Sequence, residues 1–194
     1  MSKAAQTRHY ILEKAFDLIY EHGYQATSID KIIETTSVTK GAFYYHFKNK
    51  DVMGLAVINE VIRPRFEAQL IKPLADYEDA LAGIFSTIKN FMLNLSEDQL
   101  NFGCPTNNMI HEMAPLDPVF REALNDLLED WKKALTQALT RAAAEGQIKE
   151  QDFDAVATFI IAGYEGTRGI GKLKRTFAYY QTYLSQLKAY LSTL

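Results

Sequence analysis

Apolar residues recur at three- and four-residue steps through almost all of this chain, and nowhere do valine, isoleucine and threonine alternate over the length of a strand. That period belongs to helices, so the spacing predicts an all-α protein. Tyr10, Ile11, Ala15, Leu18 and Ile19 mark a helix over about 5–22, and Gly23 is a natural stop for it. A second helix over 28–35 turns Ile29, Ile32 and Ile33 inward. Thr27 with Asp30 has the spacing of a capping box, and Ser28 could cap equally well. A short turn at Thr36–Val38 leads to a third helix over 39–47, which "KNKD" breaks. A long helix over 51–71 ends before Pro73. Further helices are expected near 75–95, 105–114, 118–145, 152–172 and 174–193. The pattern divides the chain into a three-helix head, residues 1–50, and a larger helical body, residues 51–194.

At 194 residues and 47% hydrophobic, the chain can bury a proper core. No run reaches the roughly 18 apolar residues of a membrane span, and the start lacks a signal-peptide pattern. Cys104 is the single cysteine, so no internal disulfide forms, and a reducing cytoplasm is the expected setting. The net charge of −3 is unevenly spread. Residues 1–50 hold seven Lys/Arg against five acids, leaving 14 against 19 in the remainder. A mildly basic head on an acidic body would turn the head toward a polyanion.

The stretch "SVTKGAFYYHFKNKD", from Ser37 to Asp51, is where the head becomes specific. On a helix, Phe43 and Phe47 lie four apart and share a face that anchors against the neighbouring helices. Gly41 and Ala42 leave the front nearly bare. Lys40, Tyr44, Tyr45 and His46 line the edges with hydrogen-bond donors. Small front residues let the backbone approach base edges, and edge donors suit phosphate oxygens. A capped helix, a tight turn and such a second helix make a helix-turn-helix.

At these residues the chain resembles the TetR family of transcriptional regulators. The stretch "ILEKAFDLIYEHGYQATSIDKIIETTSVTKGAFYYHFKNKDVM" matches that family's N-terminal signature almost end to end. The resemblance implies that Thr39, Lys40, Gly41 and Ala42 read bases, and that Thr27, Ser28, Tyr44, Tyr45, His46 and Lys50 grip phosphates. It also implies a palindromic double-stranded operator, a homodimer and a helical body that dimerises and binds an effector. The chain departs from the pattern at Thr36-Ser37, where the family often has Ala-Gly. Ser37 must then take the left-handed turn conformation that glycine takes freely.

In the body, Gly163, Gly166 and Gly169 form a bare strip along one helix, where another helix could pack closely. Phe177, Tyr180, Leu184 and Leu187 supply an apolar side on the last helix. Both are expected at the dimer interface. The segment "LNFGCPTNNMIHEMA" mixes Phe102 with Cys104, Asn107, Asn108 and His111, and Phe85, Trp131, Tyr164 and Arg168 are candidate neighbours. An apolar cavity dotted with a few polar groups is how small ligands are held.

No catalytic set, metal or cofactor is called for. Gly166 and Gly171-Lys172 nearly spell a phosphate loop, but Leu173 stands where a hydroxyl should hold magnesium. His111 has no second histidine at zinc-protease spacing. The expected function is a ligand-released repressor. Two other readings stay open: a regulator that senses oxidants through Cys104, and a helical small-molecule-binding protein that does not touch DNA.

Overall fold

The helices start and stop where the side chains dictate. In a computed structural model describing residues 2–194, the described residues form helices and contain no strand. Helix α1 (Lys3–His22) begins at Ser2, whose hydroxyl accepts from the Ala5 N–H, and closes at Gly23 with φ +90°. Ser28, not Thr27, caps α2 (Ile29–Thr36), accepting from the Lys31 N–H at 3.1 Å. Ser37 then takes φ 56°, ψ 16°, the left-handed geometry expected of it. Thr39 caps α3 (Lys40–His46) and Asn49 caps α4 (Lys50–Val57).

The long helix expected over 51–71 is not uniform. After α4 come a π turn (Ile58–Ile62), α5 (Arg63–Phe66), a second π turn (Glu67–Ile71) and a 3-10 turn (Lys72–Ala75). The remaining helices are α6 (Ala80–Leu93), α7 (Glu97–Phe102), α8 (Pro105–Met113), α9 (Pro118–Ala144), α10 (Phe153–Lys174) and α11 (Ala178–Leu191). Helix α7 was not anticipated, although Ser96 and Gln99 form a complete capping box in front of it. Helix α10 runs unbroken through Gly163, Gly166, Gly169 and Gly171.

The chain divides into two compact units. The first comprises the chain up to Arg65 together with Pro105–Asn125; the second comprises Phe66–Cys104 with Asp126–Leu194. This partition by compactness adds 51–65 and 105–125 to the head, whereas a division at residue 50 is one of proposed roles.

In the first unit, Ile11, Leu12, Ala15 and Phe16 of α1 are buried with Ile32, Phe43, Phe47, Met53, Met109 and Phe120. Tyr10 is 43% exposed and lies outside this core. Gly54 lets α4 come close: a Cβ there would lie 2.5 Å from Tyr24 Cε2 and 2.9 Å from Phe120 Cζ. Arg8 ties the unit from outside. Its guanidinium donates to both Glu60 carboxylate oxygens and to the His46 carbonyl, and lies 4.5 Å from the Phe47 ring centroid.

The second unit is built around Trp131, Leu135, Leu139, Ile160, Tyr164 and Leu184, all buried. Arg141 donates to the Leu74 and Tyr77 carbonyls, both at 3.2 Å, and so holds α9 to the end of the 3-10 turn.

Candidate nucleic-acid interface and effector residues

Helix α3 is anchored from behind and bare in front. Phe43 and Phe47 are fully buried, their rings 5.6 Å apart. On the other side Tyr45 is 78% exposed and Tyr44 44%. Gly41 is exposed, and nothing stands within 4 Å of where its Cβ would be. Ala42 beside it is half-buried. The front is therefore open to a groove edge at the level of the backbone.

The remaining candidates fall into different settings. Lys40 is exposed, with Nζ 3.1 Å from Asp30 Oδ1 on α2. The Asp30 carboxylate raises its pKa, so it stays a full cation. Thr39 and Ser28 are exposed, but their hydroxyls already cap α3 and α2. His46 is half-buried, its ring edge-on to Tyr45 at 4.9 Å.

Two of the expected phosphate-gripping residues are engaged within the chain. Thr27 is fully buried and its hydroxyl donates to the Gly23 carbonyl at 2.8 Å. Lys50 is half-buried, donates to the Gln25 carbonyl at 3.3 Å and sits 4.4 Å from the Tyr24 ring centroid. Burial lowers its pKa, more than the neighbouring carboxylates Asp51 and Glu112 raise it. Lys50 is first a brace for the turn between α1 and α2.

These are the parts of a helix-turn-helix, and comparison with known proteins names the lineage. The family described as "Bacterial regulatory proteins, tetR family" matches residues 11–57, and "Tetracyclin repressor-like, C-terminal domain" matches residues 80–187. The chain belongs to the TetR family. Its match to a helix-turn-helix transcriptional regulator from the lacX 3′ region of Lactococcus lactis subsp. lactis is 32% identical over 161 residues, covering 83% of this chain and 81% of that one. The match to the transcriptional repressor DhaR of a Mycobacterium species is 28% identical, covering 82% and 79%. The crystal structure of a TetR regulatory protein from Rhodobacter sphaeroides superposes with TM-score 0.83 at 27% identity, covering 97% and 98%. The protein is a TetR-family helix-turn-helix transcriptional regulator with the all-helical fold of that family. No helix among the described residues is long and apolar enough to cross a membrane, and no group of three metal-ligating side chains occurs among them.

Within the second unit of this TetR-family chain, part of the expected effector set converges. The Trp131 and Tyr164 rings meet edge-on at 5.0 Å, Phe91 lies 6.0 Å from Tyr164, and the Arg168 guanidinium stands 5.5 Å from the Phe91 centroid. Arg168 is 1% exposed and donates to the Gly103 carbonyl. Burial holds the Tyr164 hydroxyl well above the ordinary tyrosine pKa, so it remains neutral. Trp131 Nε1 is buried and has no hydrogen-bond partner among the described residues. Cys104 is buried, its Sγ 3.7 Å from Glu165 Oε1.

Other members of the set have settings of their own. Phe102 is half-buried. Phe85 is flanked by the Lys89 and Lys188 ammoniums at 6.0 and 5.9 Å. Asn107, Asn108 and His111 belong to α8 in the first unit, with His111 exposed. Sequence reasoning missed a groove of about 270 Å³ lined by Gln69, Tyr77, Thr87, Asn90, Phe91 and Gln99. The buried Thr87 hydroxyl there also lacks a partner among the described residues. The signal available in the sequence is the polar run Ser86, Thr87, Lys89 and Asn90 in a largely apolar helix.

The expected dimerisation set divides between packing within the chain and open surface. Tyr180, Leu184 and Leu187 are buried in their own unit, and a Cβ on Gly163 would lie 2.6 Å from Tyr183 Cε2. Their side chains serve the intrachain packing of α10 and α11, and Phe177, half-buried, leans on Tyr180 at 5.9 Å. Gly166 and Gly169 remain exposed, with open space above them. They continue a stripe that sequence reading did not single out: Phe159 is 58% exposed, Ile170 46% and Leu173 76%.

Proposed function

We propose that the protein is a homodimeric operator-binding repressor that a small-molecule effector releases from DNA. The observation that carries this reading is α3, held by the buried Phe43 and Phe47 while Gly41, Lys40, Tyr44 and Tyr45 face outward. Lys40, Gly41, Ala42 and the end of Thr39 read base edges. Tyr44, Tyr45, His46 and Ser28 contact phosphates. Residues 1–50 act as the DNA-binding domain and 51–194 as the effector and dimerisation domain. DhaR, described as a transcriptional repressor, supports the negative sign of control.

One head contacts too few bases to be selective, and paired helix-turn-helix motifs read half-sites about 34–36 Å apart. The stripe Phe159, Gly166, Gly169, Ile170 and Leu173 offers apolar side chains beside bare backbone. A second copy of α10, packed there together with α11, would bury them and make the two-fold assembly.

The cluster of Trp131, Tyr164, Phe91 and Arg168 is the proposed effector site. A buried, unpartnered N–H costs about 1–3 kcal/mol. An effector that offers an acceptor to Trp131 Nε1 recovers that cost, and its preference for one state over the other sets how far it shifts DNA binding. Oxidant sensing through Cys104 has less support, because the thiol is buried beside a carboxylate, the reverse of the exposed, electropositive setting of reactive cysteines.

Selection from a random duplex library, run beside a Lys40→Ala/Tyr44→Ala variant, tests the reading. A palindromic motif recovered only with the unaltered protein is the expected result. No motif, or the same motif with both proteins, would overturn it.

A further inference from the structure

Residues 105–125 belong to the same compact unit as the helix-turn-helix, and one carboxylate on that segment binds the backbone at the motif's entrance. Glu112, near the end of α8, accepts the Tyr24 N–H on Oε2 at 2.8 Å and the Gln25 N–H on Oε1 at 2.5 Å. These two amides lie in the turn between α1 and α2, just ahead of the Ser28 cap. Both oxygens of one carboxylate are thus committed to consecutive backbone donors. Charge-assisted bonds of this kind are roughly twice as strong as neutral ones.

The surroundings fix the grip. Gly23 has φ +90°, a conformation that other residues rarely adopt, and a Cβ there would stand 3.2 Å from Glu112 Oε2. Gln25 Nε2 reaches Met113 Sδ at 3.2 Å, so the next residue of α8 holds the same turn. On its far side the turn is braced by Lys50, through the Gln25 carbonyl, and by Asp51, which accepts the Tyr24 hydroxyl at 2.7 Å. The α1–α2 turn is therefore clamped between α8 and the start of α4.

We infer that Glu112 is a positioning residue for DNA recognition: from outside the helix-turn-helix it fixes the α1–α2 turn and so sets the angle at which α2 and α3 meet DNA. This rests on the operator-binding reading above and adds its control point. Helix α8 lies within the polar segment 101–114, so displacement of α8 reaches the reader through two hydrogen bonds. Because Glu112 is an anion, its positioning effect and its effect on phosphates through charge have opposite signs and are separable.

The test compares the full-length protein with Glu112→Gln and Glu112→Ala on the selected operator and on non-specific duplex, with amide exchange read at Tyr24 and Gln25. Loss of a negative charge alone would tighten both kinds of binding together. Loss of positioning acts oppositely on the two. Operator affinity is expected to fall about tenfold in Glu112→Gln and further in Glu112→Ala, while non-specific affinity holds or rises. Exchange at Tyr24 and Gln25 should quicken in both variants, with the thermal midpoint of Glu112→Gln lowered but its fold intact at the assay temperature. Operator affinity equal to or tighter than that of the unaltered protein, or unchanged exchange at the two amides, would overturn the inference. If the unaltered protein itself selects no operator, the DNA-binding reading has failed first.

Discussion

Lys40 opens α3 with its ammonium 3.1 Å from Asp30 on α2, across the turn of the helix-turn-helix. Both side chains are exposed, so the pair adds little stability. In the proposed operator-binding reading, it aims a long cation before DNA arrives. Asp30→Asn should release Lys40 and remove one repelling charge. Non-specific affinity then rises and discrimination between operator and altered sites falls. Lys40→Ala should lower discrimination at one base position by about tenfold or more, measured by competition with single-base operator variants.

Ser37 holds a left-handed conformation at φ 56° that costs a non-glycine residue about 1–2 kcal/mol. Glycine there removes the strain but adds freedom to the unfolded chain worth about 0.5–1 kcal/mol. Ser37→Gly should therefore stabilise the fold by about 0.5–1 kcal/mol, read as a higher urea midpoint. Ser37→Val should do the reverse.

Gly54→Ala places a methyl against a ring that cannot retreat. Tyr24 is 1% exposed, hydrogen-bonded to Asp51 and stacked beneath Lys50. Overpacking of this kind costs about 1–3 kcal/mol. Chemical denaturation should show that loss, and Phe120→Leu should return part of it by clearing the second clash at 2.9 Å.

The outer stripe of α10 predicts the assembly state. Phe159→Lys with Ile170→Glu places charges where the proposed partner helix packs. Sedimentation should show a monomer that keeps its helical content, and operator binding should weaken about a hundredfold as the paired half-sites lose their link. A variant that still sediments as a dimer would place the interface elsewhere.

Much of this architecture was legible in sequence because it is local. Ser28 and Thr39 sit one residue before apolar-periodic runs, and Phe43 and Phe47 four apart mark a buried face. Gly41 beside exposed tyrosines marks the open one. What sequence does not reveal has a different cause. Thr27 and Ser28 are equivalent as text, and only the fold decides which hydroxyl turns inward to the Gly23 carbonyl. Tyr180, Leu184 and Leu187 form a helical stripe, but periodicity does not say whether its partner lies in the same chain or in another. Glu112 meets Tyr24 across 88 residues of sequence, a pairing that spacing cannot reveal. Phe159, Ile170 and Leu173 share the face of Gly166 at seven- and four-residue steps, but the three-residue glycine steps are the stronger signal in the sequence.

The π turns at Ile58–Ile62 and Glu67–Ile71 each hold a residue more than an α turn would. A helix carrying such loops stores spare length. Shortening the gene by one codon within either turn leaves a regular α turn in its place. The following side chains keep their rotational phase, whereas the same deletion inside α9 swings every later residue through about 100°. The two turns are thus the places along this helix where the reading frame of the fold can lose a residue and stay in step.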